Sequence, residues 1–179
     1  MREYSSEVID KAKGVKALIF DVDGVLTDGK IIYDNNGVET KAFNVKDGQI
    51  IKHLKEAGIV VGAITGRSSD VVKKRCEELK LDFYYQGIHD KPQIFEQVCE
   101  KYGLQKKEVT YIGDDLIDLG ILTQCGLAVT PNDGMSYVQE HVDMISEKNG
   151  GEGVVREVGD LLLSSRGLLM GIVDRYLKQ

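Results

Sequence analysis

Cysteine is scarce in this chain of 179 residues, with only Cys76, Cys99 and Cys125 present. They are far apart, odd in number and form no CxxC pair, which excludes a disulfide framework. They read as buried thiols in a reducing cytoplasm. Positive charge is also short. The 23 Lys and Arg residues face 29 Asp and Glu residues, for a formal net charge of -6. A nucleic-acid backbone or an anionic membrane surface needs clustered Lys and Arg, so neither is an expected partner. A small phosphorylated ligand stays open, because a few local cations suffice for it. No apolar run approaches the ~18 residues of a membrane span. The opening "MREYSSEVIDKAKG" lacks the apolar stretch of a signal peptide and reads as an amphipathic helix over 1–14. His53, His89 and His141 have no partner at metal-ligand spacing, and His53 is expected on a helix surface. No internal repeat and no low-complexity linker is present.

What the chain does have is alternation. "KALIF", "IVVGAIT", "LDFYYQG", "VTYIGD" and "GLAVT" are short apolar strands, and a brief "VDMIS" strand follows. Between them, "DGQIIKHLKEAG", "SSDVVKKRCEELK", "KPQIFEQVCEKYG" and "DLIDLGILTQC" carry helical spacing. Ser68 or Ser69 is a candidate N-cap, and Pro92 and Gly103 bracket one helix. Fully apolar strands alternating with helices predict an α/β fold: a Rossmann-like parallel sheet with helices on both faces. The whole of 1–179 is expected to be one domain, with a C-terminal helical tail over 165–179. One segment breaks the alternation. "GKIIYDNNGVETKAFNV" has a turn signal between two strand-like runs and predicts a β-hairpin over 28–46 that projects from the sheet.

In parallel sheets, ligands bind at the carboxyl ends of the strands. The run "ALIFDVDGVLTDG" places Asp21 and Asp23 at such an end. Buried charge costs several kcal/mol unless something compensates it, so a cation is expected there. If the strand continued, positions i and i+2 would put both carboxylates on one face. One carboxylate can attack phosphorus, and a second can serve as acid and base. "YIGDDLID" brings Asp114, with Asp115 and Asp118 close behind, as oxygen ligands suited to Mg2+. In "AITGR", Thr65 offers a hydroxyl and Gly66 a backbone N–H to phosphate oxygens. Lys91 in "HDKPQ" offers a point charge to the same group. Each piece alone has a bland explanation as a turn, a helix start or a surface lysine. Their order, each at a strand end, argues for one site.

"FDVDGVLTDG", "ITGR", "DK" and "IGDDLID" resemble the four motifs of the haloacid dehalogenase-like phosphatases. "KAFNVKDG", "ITGRSSDVVKKRCEEL", "YQGIHDK" and "GGEGVVREVGDLLL" are similar to the branch acting on 3-deoxy-D-manno-octulosonate (KDO) 8-phosphate. The resemblance implies that Asp21 is the nucleophile and Asp23 the general acid/base. It implies Mg2+ on Asp21, the Asp23 main-chain carbonyl and Asp114, with Asp115 or Asp118 in support. It implies phosphate binding by Thr65, Gly66 and Lys91. Substrate contacts are expected from Asp23, from the "NVKDG" loop of Asn44, Val45, Lys46, Asp47 and Gly48, and from Lys52, Arg67, Arg75 and Lys91. The expected substrate is a small phosphorylated sugar acid, in lipopolysaccharide precursor synthesis in a Gram-negative cytoplasm. A nonulosonate 9-phosphate phosphatase is the near alternative, and a phospho-Asp signalling switch the alternative of another class.

The gaps between Asp21 and Thr65, and between Thr65 and Lys91, leave no room for a cap domain. A capless site is open to water, and the hairpin has unpaired edges. A homo-oligomer meets both needs, and the resemblance suggests a tetramer with sites at subunit interfaces. "KNGGEGVVREV" is expected near the active edge.

Overall fold

The structure, a computed structural model, describes residues 2–178; Met1 and Gln179, the outer ends of the predicted N-terminal helix and tail, lie outside the described residues. In chain order, α1 (Ser6–Gly14) precedes β1 (Ala17–Phe20), and β2 (Ile32–Tyr33) and β3 (Glu39–Thr40) follow. Next come α2 (Val45–Glu56), β4 (Val60–Ile64), α3 (Asp70–Glu78), β5 (Phe83–Tyr85) and α4 (Lys91–Tyr102). The remainder is β6 (Val109–Ile112), α5 (Leu119–Leu122), β7 (Leu127–Thr130), α6 (Ser136–Gln139), β8 (Met144–Ile145), α7 (Val154–Ser164) and α8 (Leu169–Leu177).

Six strands form one parallel sheet in the order β5-β4-β1-β6-β7-β8. β1 lies between β4 and β6, where the chain turns from building one side of the sheet to building the other. That reversal opens a crevice at the carboxyl end of β1, the position where such sheets bind ligands. All four β1 residues are buried, because both faces of the sheet are covered. Leu18 and Phe20 face a core shared with α1, α2 and α7, while Ala17 and Ile19 face a second core shared with α4 and α5. The α2–α7 contact is close. A Cβ at Gly159 would sit 2.4 Å from Ile50 Cγ1, so only glycine lets the two helices meet there.

Local signals account for the helix ends. Ser69 Oγ accepts from Val72 N at the start of α3, which selects Ser69 over Ser68 as the cap. Asp90 caps α4, Pro92 occupies its first turn and Gly103 ends it at φ 63.

Four expectations need correction. The hairpin is present, but its strands are only two residues each, and Val45 and Lys46 already belong to α2. "NVKDG" is therefore a helix start rather than a loop, with Asn44 Oδ1 accepting from Lys46 N as N-cap. The helix expected over "DLIDLGILTQC" is a 3-10 turn at Leu116–Asp118 followed by the single turn of α5. His53 is buried rather than on the surface, because α8 folds back and sets Tyr176 Oη 3.3 Å from its Nε2.

Phe20 is fully buried in the larger core. Phe20→Ala is expected to lower unfolding free energy by about 3–5 kcal/mol, as read from denaturant midpoints at unchanged m-value.

Candidate active site

The chain leaves β1 at Asp21 and turns at once. Val25, Leu26 and Thr27 each donate a backbone N–H to the Val22 carbonyl, and Val22, Val25 and Leu26 plug the turn into the core. Asp23 thus sits in a tight turn rather than two residues along an extended strand. The turn, and not strand alternation, brings its carboxylate to the edge. Gly24 adopts φ +90, and a Cβ there would lie 2.1 Å from Asp114 Oδ2. The carboxylate of Asp114 fills the space that any other residue would need.

Lys91 is the pivot. It opens α4 and is fully buried, with Nζ 2.8 Å from Asp118 Oδ1 and 3.1 Å from Asp21 Oδ1. Tyr111, at the edge of β6, donates its hydroxyl to the same Asp118 oxygen at 2.6 Å. The other oxygen of Asp118 accepts from the backbone of Asp114 and Asp115. Asp118 thereby spends both oxygens on holding Lys91 and shaping the "GDD" turn. Asp115 accepts from Leu116 N and the Tyr137 hydroxyl, both at 2.7 Å. Thr65 is buried one residue beyond β4, held by backbone bonds to Tyr85 and Ile88, with Gly66 next to it.

Burial and crowding show in the acidity of these groups. Burial, with the Asp118 charge adding to it, pushes the Asp21 carboxyl up to about 6 against the opposing pull of Lys91. Burial, then the charges of Asp21, Asp118 and Asp115, push Asp114 up to about 8. Burial alone would lower Lys91, but the two carboxylates outweigh it and hold the ammonium charged. The cluster lacks positive charge. Carboxylate oxygens of Asp21, Asp114 and Asp118 lie within 4.8 Å of one another, and Asp114 Oδ1 is buried with no hydrogen-bond partner. An all-oxygen donor set with an unsatisfied buried lone pair fits a hard divalent cation such as Mg2+. Asp21 and Asp114 have the free oxygens to hold it.

The hairpin closes over this site. Lys41 Nζ, fully buried, lies 2.5 Å from Asp23 Oδ1. Arg67 reaches Glu39 at 3.2 Å and the Tyr33 hydroxyl at 3.4 Å, and its Nε is 3.8 Å from Asp23 Oδ2. Ser69 donates its hydroxyl to Glu39. Lys41, Glu39 and Tyr111 were not singled out from the sequence. The signal for the first two was their i, i+2 spacing on one hairpin face. For Tyr111 it was a polar-tipped ring at the end of an apolar strand.

Other predicted contacts stand apart from the carboxylates. Asp47 is buried, and its Oδ1 accepts from Arg156 N at the start of α7. Gly48 packs against Arg75, whose guanidinium stacks 5.6 Å from the Phe43 ring centroid. Val45 is exposed, and Lys46 faces a groove of about 930 Å³ shared with Tyr4 and Arg156. Asp21, Asp23, Thr65, Lys91 and Asp114 do not line that groove. Lys52 pairs with Glu56 one turn further along α2, away from the helix start that borders the site. The glycine-rich segment does reach the edge. Gly151 N donates to the Val25 carbonyl, and a Cβ at Gly150 would lie 2.1 Å from the Gly24 oxygen.

A parallel α/β sheet with this carboxylate–lysine edge defines a class, and the haloacid dehalogenase-like hydrolase family model matches residues 44–126. The 3-deoxy-D-manno-octulosonate 8-phosphate phosphatase KdsC of Escherichia coli (strain K12) is 43% identical over 165 residues, spanning 92% of this chain and 88% of that protein. The KdsC of Haemophilus influenzae is 36% identical, covering 88% of this chain and 87% of its own. Among solved structures, the Moraxella catarrhalis phosphatase in complex with magnesium, phosphate and KDO superposes with a TM-score of 0.94. It is 38% identical, over 97% of this chain and 99% of its own. The chain belongs to this family, the KdsC phosphatases of the haloacid dehalogenase-like hydrolases.

Two outcomes test the site. Asp114 and Asp21 bind protons more tightly folded than unfolded, so metal-free protein should lose stability as pH rises from about 4 to about 8. Thermal melts with and without Mg2+ should therefore diverge most near pH 8 and least near pH 5. Gly24→Ala should weaken Mg2+-dependent stabilisation by displacing Asp114, as measured by the Mg2+ concentration that half-saturates the melt shift.

Proposed function

We propose that this chain hydrolyses KDO 8-phosphate to KDO and inorganic phosphate. The supporting observation is Lys91, buried between Asp21 and Asp118, with Asp23 and Asp114 at the same strand edge. Asp21 is the nucleophile. One of its oxygens forms a bond to phosphorus, the bond from phosphorus to the sugar oxygen breaks, and Asp23 gives that oxygen a proton. Water then attacks the aspartyl-phosphate, Asp23 takes the water's proton, and the phosphorus–Asp21 bond breaks. Both carboxyl groups return to their starting state. Lys91 keeps Asp21 oriented and, with Thr65 and the Gly66 N–H, balances the transferring phosphoryl charge. Asp21, Asp114 and the Asp23 carbonyl would hold Mg2+, which would supply charge neutralisation between nucleophile and phosphate. Asp115 and Asp118 hold the "GDD" turn. Arg67 and Arg75 are the cations available to the sugar carboxylate.

Among the described residues no cap domain covers the site, and the hairpin leaves Ile31, Ile32, Tyr33 and Val38 exposed. We infer a homo-oligomer joined through these hairpins, a tetramer in which a neighbour roofs each site. No helix among the described residues is long and apolar enough to cross a membrane. The proposed setting is the cytoplasm of a Gram-negative bacterium, in lipopolysaccharide precursor synthesis.

Phosphate release from KDO 8-phosphate and from a nonulosonate 9-phosphate, compared at equal concentration with Mg2+, tests the substrate. Strong preference for the first is expected, and preference for the second would move the assignment. Asp21→Asn and Asp23→Asn should each abolish turnover with the fold kept; wild-type turnover in either would overturn the mechanism. Light scattering should give about four chain masses, and Ile32→Asp should yield smaller species with weaker substrate binding.

A further inference from the structure

Asp23 must direct one oxygen at the sugar oxygen that leaves and later at the incoming water. Its two oxygens stand in different surroundings. Oδ1 lies 2.5 Å from the ammonium of Lys41 and 3.4 Å from the Thr27 hydroxyl. Oδ2 is buried and has no hydrogen-bond partner, with Arg67 Nε 3.8 Å away. An ammonium has only donors, so an oxygen facing it can accept and cannot carry a proton toward it. Oδ2, the oxygen without a protein partner, is therefore the one left free to meet a reacting oxygen. Lys41 is itself held from behind, with Glu39 Oε1 3.6 Å from its Nζ. Glu39 in turn is fastened by Arg67 and Ser69. A lysine side chain sealed from water is costly unless its charge is paired, and the shortest contact of Lys41 Nζ is with Asp23.

We propose, resting on the phosphatase mechanism above, that Lys41 is the positioning residue for Asp23: it engages Oδ1 so that Oδ2 faces the reacting oxygen. The hairpin then does more than offer a surface to neighbouring subunits. It delivers a group that fixes the orientation of the acid/base within its own chain.

The test compares leaving groups. Departure of a sugar alkoxide needs a proton, whereas 4-nitrophenolate leaves without one. For Lys41→Met, kcat/KM on KDO 8-phosphate should fall roughly 100-fold, the scale of a misplaced general acid. The fall should lie in kcat, with KM within about threefold. On 4-nitrophenyl phosphate, kcat/KM should stay within about threefold. Lys41→Arg, which keeps a donor for Oδ1, should recover part of the loss. Equal losses on both substrates would mean that Lys41 only supports the site, and would overturn the proposal. A raised KM at unchanged kcat would make it a substrate-binding residue, and no loss would make it idle; either overturns the proposal. Thermal melts run alongside, and if Lys41→Met is unfolded, Lys41→Gln carries the same comparison. A wild type that cleaves ribose 5-phosphate but not KDO 8-phosphate would refute the proposed substrate alone. The Lys41 comparison then runs on ribose 5-phosphate.

Discussion

An ammonium group sealed from water organises this molecule. The Nζ of Lys91 lies within reach of Asp118, Asp21 and, at 3.5 Å, the Tyr111 hydroxyl. Burying such a charge unpaired costs several kcal/mol, so its partners must be kept in place. Each partner sits on a different element: the end of β1, the end of β6 and the turn that follows it. The lysine itself opens α4. One cation thereby fastens two turns, a strand end and a helix to a single point at the sheet edge. Asp118 extends the arrangement by accepting from the backbone N–H groups of Asp114 and Asp115. The positions of Asp21 and Asp114 thus depend on Lys91, Tyr111 and Asp118 behind them.

The same centre is built with an imbalance. Asp21, Asp114 and Asp118 bring three carboxylates against one lysine, in a setting too dry to screen them. The structure tolerates this by holding protons, which is why Asp21 and Asp114 keep theirs well above the ordinary range. A divalent cation would replace those protons. Affinity for metal and instability without it are then one property, strain that folding has stored in the site.

Much of this was legible in the sequence, for physical reasons. Short strands buried on both faces must be apolar throughout, so "KALIF" and "VTYIGD" announced themselves. The charged residues just beyond such strands had to lie at the edge, and Asp21, Lys91 and Asp114 do. What escaped depended on contacts distant in the chain. The hydrophobic residues of "DVDGVLT" plug a tight turn, which strand alternation does not anticipate. His53 carries a surface pattern along α2 but is covered by Tyr176, which lies 123 positions away. Nothing local announced that Asp47 Oδ1 accepts from the backbone at the start of α7, 109 positions away. Lys41 was not singled out, because nothing local says that the hairpin folds onto its own site.

Gly24 and Asp114 carry a consequence for how this chain can vary. The space a side chain would need at position 24 already belongs to a carboxylate 90 positions later, counting 114 minus 24. Relief at one position would need a smaller group at the other, and a smaller group there would no longer reach a cation. The two loops are therefore not free to drift separately. Single substitutions in either meet a barrier, and paired ones lose the chemistry. Across descendants of this chain, the glycine should be as fixed as the acid, although it bonds to nothing.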